Sequence, residues 1–197
     1  MHEKKMISPV EIENFYDALA DDYDSMTRFD TRLKREHETM KRLVDTYSIS
    51  SAIDAGAGTG FHSILLAKLG VDVTAVDVSR EMLSRLEMNA ERFGVSVQIV
   101  VSDFASLPKA IDRTYDAVFC LGNSIAHTDT DSLPADSLEG FHSLLHSGGT
   151  LVLQLLNYER ILSARNKIQD IREENGKTFI RYYEYHTNRI IFNIVTF

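Results

Sequence analysis

Three glycines at alternate positions lie in Asp54-Ala55-Gly56-Ala57-Gly58-Thr59-Gly60, between an apolar run ending at Ile53 and a stretch, Phe61 to Leu69, with apolar residues at helical spacing. A strand that turns this tightly into a helix brings bare backbone to a ligand, because glycine has no Cβ to shield the main chain and takes positive φ without strain. Two carboxylates follow at comparable places. Asp77 closes the next apolar run, 21 residues beyond Gly56, where it can accept hydrogen bonds from both hydroxyls of a ribose. Ser102-Asp103-Phe104 closes the run after that, offering a carboxylate for an exocyclic amino group and a ring that packs on a base. The residues suit a nucleoside, each hydrogen bond to a carboxylate contributing roughly 1.5–3 kcal/mol.

Positioning these groups requires strand ends that share one edge of a sheet. From Ile53 onward short apolar runs alternate with helical segments, the pattern of parallel strands with crossover helices. Strands are expected at 71–77, 95–101, 115–121 and 150–156, with helices from Ser79 to Gly94 and from Leu133 to Leu145, and a turn at Gly148-Gly149. Upstream, Pro9 to Met26 and Thr31 to Tyr47 read as helices, the first ended by the acidic cluster Asp21-Asp22-Tyr23-Asp24. Beyond Asn157 a short helix at 158–163 precedes three β-like runs at 168–174, 177–186 and 189–197. Asn175-Gly176 and, more weakly, Thr187-Asn188 mark the hairpins. The expected fold is α/β: a Rossmann-like, doubly wound, mainly parallel sheet with an appended antiparallel β meander. Residues 1–48 form a helical lid, 49–160 the nucleoside-binding core and 161–197 the β extension.

Composition narrows the function. The chain has 197 residues, a formal net charge of −8 and a single cysteine, Cys120, in an apolar run. The acidic balance disfavours a protein that grips nucleic acid through phosphates, and one cysteine excludes an internal disulfide framework. The seven histidines form no ligand-spaced pair for a metal. No apolar run reaches membrane-spanning length and the start lacks a signal-peptide core, so the expected location is the cytoplasm, with no membrane partner. The dehydrogenase fingerprint is G-x-G-x-x-G, whereas here the spacing is G-x-G-x-G, and no residues remain for a separate substrate domain. Both points favour a mononucleoside cofactor over NAD.

The Asp54–Gly60 turn, the Asp77 strand end and Ser102-Asp103 together resemble motifs I, II and III of the class I S-adenosylmethionine-dependent methyltransferases, over roughly residues 10 to 160. Leu121-Gly122-Asn123-Ser124-Ile125-Ala126-His127 is similar to the L-G-N-S-F-A-H segment of the glycine and glycine/sarcosine N-methyltransferase branch. The resemblance implies S-adenosyl-L-methionine as cofactor. Its methionine part would meet Asp54, Ala55, Gly56, Ala57 and Gly58, with Leu121 nearby; its ribose would meet Asp77; its adenine would meet Val78, Met82, Ser102, Asp103 and Phe104. Tyr16 and Tyr23 resemble lid tyrosines, and Arg32 falls where an arginine binds the cofactor carboxylate. For the tyrosines the competing reading is helix packing, and for Arg32 a solvated face. Leu156 stands where the branch has an arginine for the substrate carboxylate, which argues against glycine or sarcosine as acceptor.

The implied reaction is in-line methyl transfer to a small molecule, at an amine nitrogen, with Asn123 orienting the nucleophile, His127 accepting its proton and Tyr16 contributing from the lid. His127 as a structural histidine is the competing reading. Holding a nucleophile in line supplies roughly 7–11 kcal/mol of barrier reduction. Two other functions stay open on these residues: a noncatalytic S-adenosylmethionine-binding or regulatory protein, and an NAD(P)-dependent oxidoreductase. The ending inside the apolar run Ile190–Phe197 reads as a shortened chain whose exposed edge can pair with a second copy as a homodimer.

Overall fold

The computed structural model describes residues 9–127, 133–187 and 189–197; the side chains of 9–12, 127, 133 and 134 lie outside that description. Helices α1 (Pro9–Thr27) and α2 (Phe29–Tyr47) precede a core of β1 (Ser51–Ala55), α3 (Phe61–Lys68), β2 (Asp72–Asp77), α4 (Arg80–Phe93), β3 (Gln98–Val101), α5 (Leu107–Ala110), β4 (Tyr115–Cys120), α6 (Leu133–Ser143) and β5 (Leu145–Leu153). A 3-10 turn, Ser124–His127, follows β4. The chain continues through α7 (Tyr158–Ala164), β6 (Ile168–Glu174), β7 (Lys177–Tyr185) and β8 (Ile190–Thr196).

The first five strands form one parallel sheet in the order β3-β2-β1-β4-β5, and the last three a separate antiparallel sheet in the order β6-β7-β8. Alternate side chains of the parallel strands serve opposite faces. Ala52, Val73, Ala117 and Phe119 pack under α2 and α3 with Phe29, Leu33, Ile64 and Leu65. Ile53, Ala55, Val118 and Cys120 pack under α5 and α6 with Leu107, Phe141 and Leu144. Burial on both faces is why these strands are continuous apolar runs rather than alternating ones. The Cys120 thiol is fully buried and pushed up to about 12 by that burial and by Asp54, so it is an inert core residue.

Three elements, α1, β3 and β5, depart from expectation in ways that matter for packing. The acidic cluster does not end α1, which runs to Thr27, because its carboxylates find partners: Arg85 for Asp21, Lys177 for Asp22 and Asn89 for Asp24. The helix instead breaks at Arg28, whose φ of 55° is left-handed. β3 begins only at Gln98. β5 spans Leu145–Leu153 rather than 150–156; its ladder to β4 skips from Tyr115–Leu145 to Ala117–Thr150, so Gly148-Gly149 forms a bulge inside the strand. Beyond Leu153 the backbone is taken up by the loop after β4. At the meander, Asn175 and Gly176 have φ of 52° and 76°, the two positive values a tight hairpin needs. Asn188 lies outside the described residues. The meander covers α1: Phe179 is buried against Leu19, Met26 and Met82, and Arg172 Nη1 donates to the Met26 carbonyl at 3.1 Å.

Asp116 ties the other end of the sheet. Its Oδ2 accepts from the Ser50 and Ser51 backbone N–H groups, each at 2.8 Å, and its Oδ1 meets His146 Nε2 at 2.6 Å. The Ser50 hydroxyl first, then His146, hold this carboxyl well below the usual carboxylate range. Asp116→Ala is therefore expected to cost about 2 kcal/mol of unfolding free energy at neutral pH. Since the folded value is depressed, the ionic contribution is present above the unfolded value near ~4 and is lost as pH falls toward the folded one. The gap between the urea midpoints of the two proteins should begin to narrow as the pH falls below ~4; a constant gap would refute the linkage.

Candidate functional site

The chain reverses direction across the sheet between β1 and β4, and in open α/β sheets the crevice outside the carboxyl ends of such strands receives ligands. The glycine turn leaves β1 there, while Leu121-Gly122-Asn123 leaves β4. The turn is pinned by Gly56 and Ala57 N–H groups donating to the Val76 carbonyl at 2.8 and 2.9 Å. Gly56 has φ of 78°, and a Cβ built on it would stand 2.6 Å from Ser124 Cβ, so the β4 loop packs directly on its bare backbone. At Gly58 a Cβ would meet only Tyr23 Cε1, at 3.9 Å: the turn faces α1 across a cradle open to a ligand group.

Asp77 sits at the end of β2, beside this turn. Its Oδ2 accepts from Gly58 N–H at 2.8 Å and its Oδ1 from Ser79 N–H at 3.0 Å. Burial raises the carboxyl above the usual range, while the Ser79, Gly58 and Val78 N–H groups pull the other way. Each oxygen has spare acceptor capacity. Asp54 is 1% exposed, lies beneath the turn and accepts from Ser63 Oγ at 2.6 Å; burial raises it to about 6. Its environment braces the start of α3 rather than opening on the crevice.

Tyr16 and Tyr23 of α1 stand 6.5 Å apart, edge to face. Burial raises both phenols, and Asp77, within electrostatic range of each, adds to the rise. Tyr158 also acts on Tyr16. Arg32 is within electrostatic range of Tyr23, but its guanidinium bonds Glu36 at 3.1 Å and stacks 3.9 Å from the Phe61 centroid. Next to it, burial and Arg32 lower His62 to about 4, keeping that imidazole neutral.

The family described as "Methyltransferase domain" matches residues 52–149, which contain the turn, Asp77 and the β4 loop. Over 150 residues the chain is 34% identical to the glycine/sarcosine N-methyltransferase of Halorhodospira halochloris, covering 76% of this chain and 56% of the relative. It belongs to the class I S-adenosylmethionine-dependent methyltransferases. The chain is also 32% identical to the glycine/sarcosine N-methyltransferase of Aphanothece halophytica, over 79% of its own length and 61% of the relative's. It thus spans little more than half of the curated relatives it matches. Its fold is similar to that of S-adenosylmethionine-bound CalS10, an amino pentose methyltransferase from Micromonospora echinaspora, with a TM-score of 0.68 at 18% identity over 88% of this chain and 80% of that one.

Around the crevice the other residues singled out in the sequence take different places. Ser102 and Phe104 lie beside Asp77 and Gly56: Ser102 N–H donates to the Asp77 carbonyl at 3.1 Å, and Phe104 lies on Phe141 with its Cζ 3.4 Å from the Cβ built at Gly56. Asp103 caps the next turn, accepting from Ser106 N–H at 2.7 Å with one oxygen. Met82 departs from expectation. It is fully buried between α1 and Phe179, drawn there by the apolar face of the lid helix, while the half-buried Val78 stays at the strand end.

Asn123 is also used differently. With φ of 71° its side chain turns back: Oδ1 accepts from Leu156 N–H at 3.0 Å and Nδ2 donates to the Tyr158 hydroxyl at 2.8 Å. It locks the ends of β4 and β5 together and holds Tyr158. Leu121 supports the same loop, its carbonyl accepting from Ser124 Oγ at 2.8 Å. His127 ends the 3-10 turn, and its side chain lies outside the described residues. Tyr158 and Ser79 were missed by sequence reasoning. Tyr158 carried a signal, an aromatic directly after the Asn157 helix cap, whereas Ser79 stood in the sequence only as the start of a helix.

Proposed function

We propose that the chain is an S-adenosylmethionine-dependent methyltransferase that methylates a small molecule at an amine nitrogen. The observation that carries this reading is the convergence at one crevice of the glycine turn, the buried Asp77 carboxylate and the two tyrosines of α1. Gly56, Ala57 and Gly58 with Ala55 would hold the methionine part, Asp77 the ribose, and Val78, Ser102, Asp103 and Phe104 the adenine. The open cradle at Gly58 and the spare acceptors of Asp77 fit that group. When bound, the cofactor supplies a methyl group already activated on a sulfonium. The chain's own work is then to exclude water and fix the acceptor. Residues 1–48 act as the lid through Tyr16 and Tyr23. Asn123, by fixing Tyr158, holds a phenol hydroxyl within electrostatic range of Tyr16, where it would orient an amine hydrogen. His127 as proton acceptor remains part of the proposal.

The glycine/sarcosine N-methyltransferase relatives support an amine acceptor. Leu156, half exposed beside Asn123, carries no charge for a carboxylate, so the acceptor class extends beyond glycine. The net charge of −8 supports small neutral or cationic substrates over nucleic acid. Neither the noncatalytic binder nor the oxidoreductase gains support from the family or the relatives. Pairing of the β8 edge with a second copy belongs to the same proposal and is read from native mass.

Isothermal titration with S-adenosylhomocysteine and NAD, followed by transfer of labelled methyl to a panel of amines and hydroxyls, tests the reading. Tight adenosylhomocysteine binding with label appearing on an amine is the expected result. NAD binding without adenosylhomocysteine binding overturns it, and cofactor binding without transfer to any acceptor leaves a binding protein.

A further inference from the structure

One face of α1 carries Asp17, Asp21 and Asp24, at the i, i+4, i+7 spacing that aligns side chains on a helix. All three meet α4 or its cap. Asp17 accepts from Ser79 Oγ at 2.5 Å, Asp21 pairs with Arg85, and Asp24 accepts from Asn89 Nδ2 at 2.7 Å. The last contact differs from the others. Asn89 is 6% exposed, and the same Nδ2 also donates to the Thr59 carbonyl at 3.1 Å, inside the glycine turn. Both hydrogens of one amide group are thus committed, one to the lid and one to the loop.

From this geometry we infer that Asn89 is a positioning residue that couples docking of α1 to the conformation of the glycine turn. The inference rests on reading that turn as the cofactor site. An amide group is planar, so its two hydrogens cannot move independently. When Asp24 leaves with the lid, the amide loses the partner that fixes its plane, and the Thr59 carbonyl loses an aligned donor. Asp24 Oδ1 and Thr59 Oγ1 are both buried without a hydrogen-bond partner among the described residues. The junction is therefore poorly satisfied on either side of Asn89, and removing the amide leaves nothing nearby to replace it. Tyr23, one residue before Asp24, is the side chain that faces the open cradle at Gly58, so a ligand that enters there meets the lid, and the amide is the group that links the two. By linkage, a ligand that orders the turn strengthens docking of α1 to the same degree.

Amide hydrogen exchange on the full chain reads the coupling without any ligand. In Asn89→Ala, exchange of α1 and of residues 56–60 should accelerate together, and adenosylhomocysteine affinity should fall by about tenfold. Arg85→Ala, which loosens α1 at Asp21 but keeps the Asn89 amide, should accelerate α1 and, through that amide, residues 56–60 to a smaller degree; a faster α1 with the 56–60 amides at the wild-type rate overturns the coupling. If Asn89→Ala leaves the 56–60 amides at the wild-type rate, the inference is wrong and Asn89 merely packs the lid. Should that variant fail to fold, the exchanged pair Asp24→Asn with Asn89→Asp decides the matter. The pair restores a donor and an acceptor between α1 and α4 but offers no donor to Thr59. Protected α1 with a fast turn supports the coupling; full protection of both overturns it. A wild-type chain that does not bind adenosylhomocysteine would sink the cofactor reading alone, because the exchange comparison needs no ligand.

Discussion

Replacing Asp77 with alanine is expected to weaken adenosylhomocysteine binding by about a hundredfold or more. Two hydrogen bonds to a carboxylate contribute roughly 1.5–3 kcal/mol each, and every ~1.4 kcal/mol is tenfold in affinity. A further loss is built into the apo protein. The carboxylate holds Gly58 N–H and Ser79 N–H, so alanine leaves two backbone donors without a partner and loosens the turn before any ligand arrives. Asp77→Asn keeps an acceptor of the same shape without the charge and should fall between the two, near tenfold. Titration calorimetry measures both. An alanine variant that melts like the wild type and binds within about threefold of it, ~0.7 kcal/mol, would remove Asp77 from the ribose.

Gly56→Ala should be strongly disruptive for a single methyl. The residue has φ of 78°, a region that costs an L-residue roughly 1–2 kcal/mol, and the new Cβ would stand 2.6 Å from Ser124 Cβ and 2.7 Å from its Oγ. Relief requires the β4 loop to back away, at a further ~1–3 kcal/mol of overpacking. A total loss near ~3 kcal/mol in urea-derived stability is expected, with methyl transfer lost because Ser124 neighbours Asn123. Adding Ser124→Gly removes the clash but not the φ strain, so it should recover about half. A Gly56→Ala protein of wild-type stability would show that the turn and the β4 loop are not packed as described.

How far these effects were legible follows from how local their causes are. The glycine spacing, Asp77 and the alternation of strands and helices are written in short windows, because positive φ, a strand-end carboxylate and 3.6-residue periodicity are set by neighbours in sequence. The Asn175-Gly176 hairpin was legible for the same reason. The errors came where a distant partner overrode a local rule. Asp21, Asp22 and Asp24 look like a helix stop, yet α1 continues through them because Arg85, Lys177 and Asn89 neutralise or bond them across the fold. Met82 looks like a pocket residue in sequence, but α1 and Phe179 compete for it and win. Asn123 was read as a group facing the acceptor, yet both ends of its amide are taken by Leu156 and Tyr158.

The sequence by itself therefore determined the parallel core and the glycine turn that leaves its first strand, since both depend on residue types within a few positions of one another. Tertiary structure decided the rest. Whether Tyr16 and Tyr23 come within range of Asp77, and which α4 residue meets Asp24, depend on side chains that meet across more than 50 residues of chain, as Asp24 meets Asn89 at a separation of 65. Such meetings are fixed by the packing of α1 between α4 and the meander. No local pattern in either segment specifies the other.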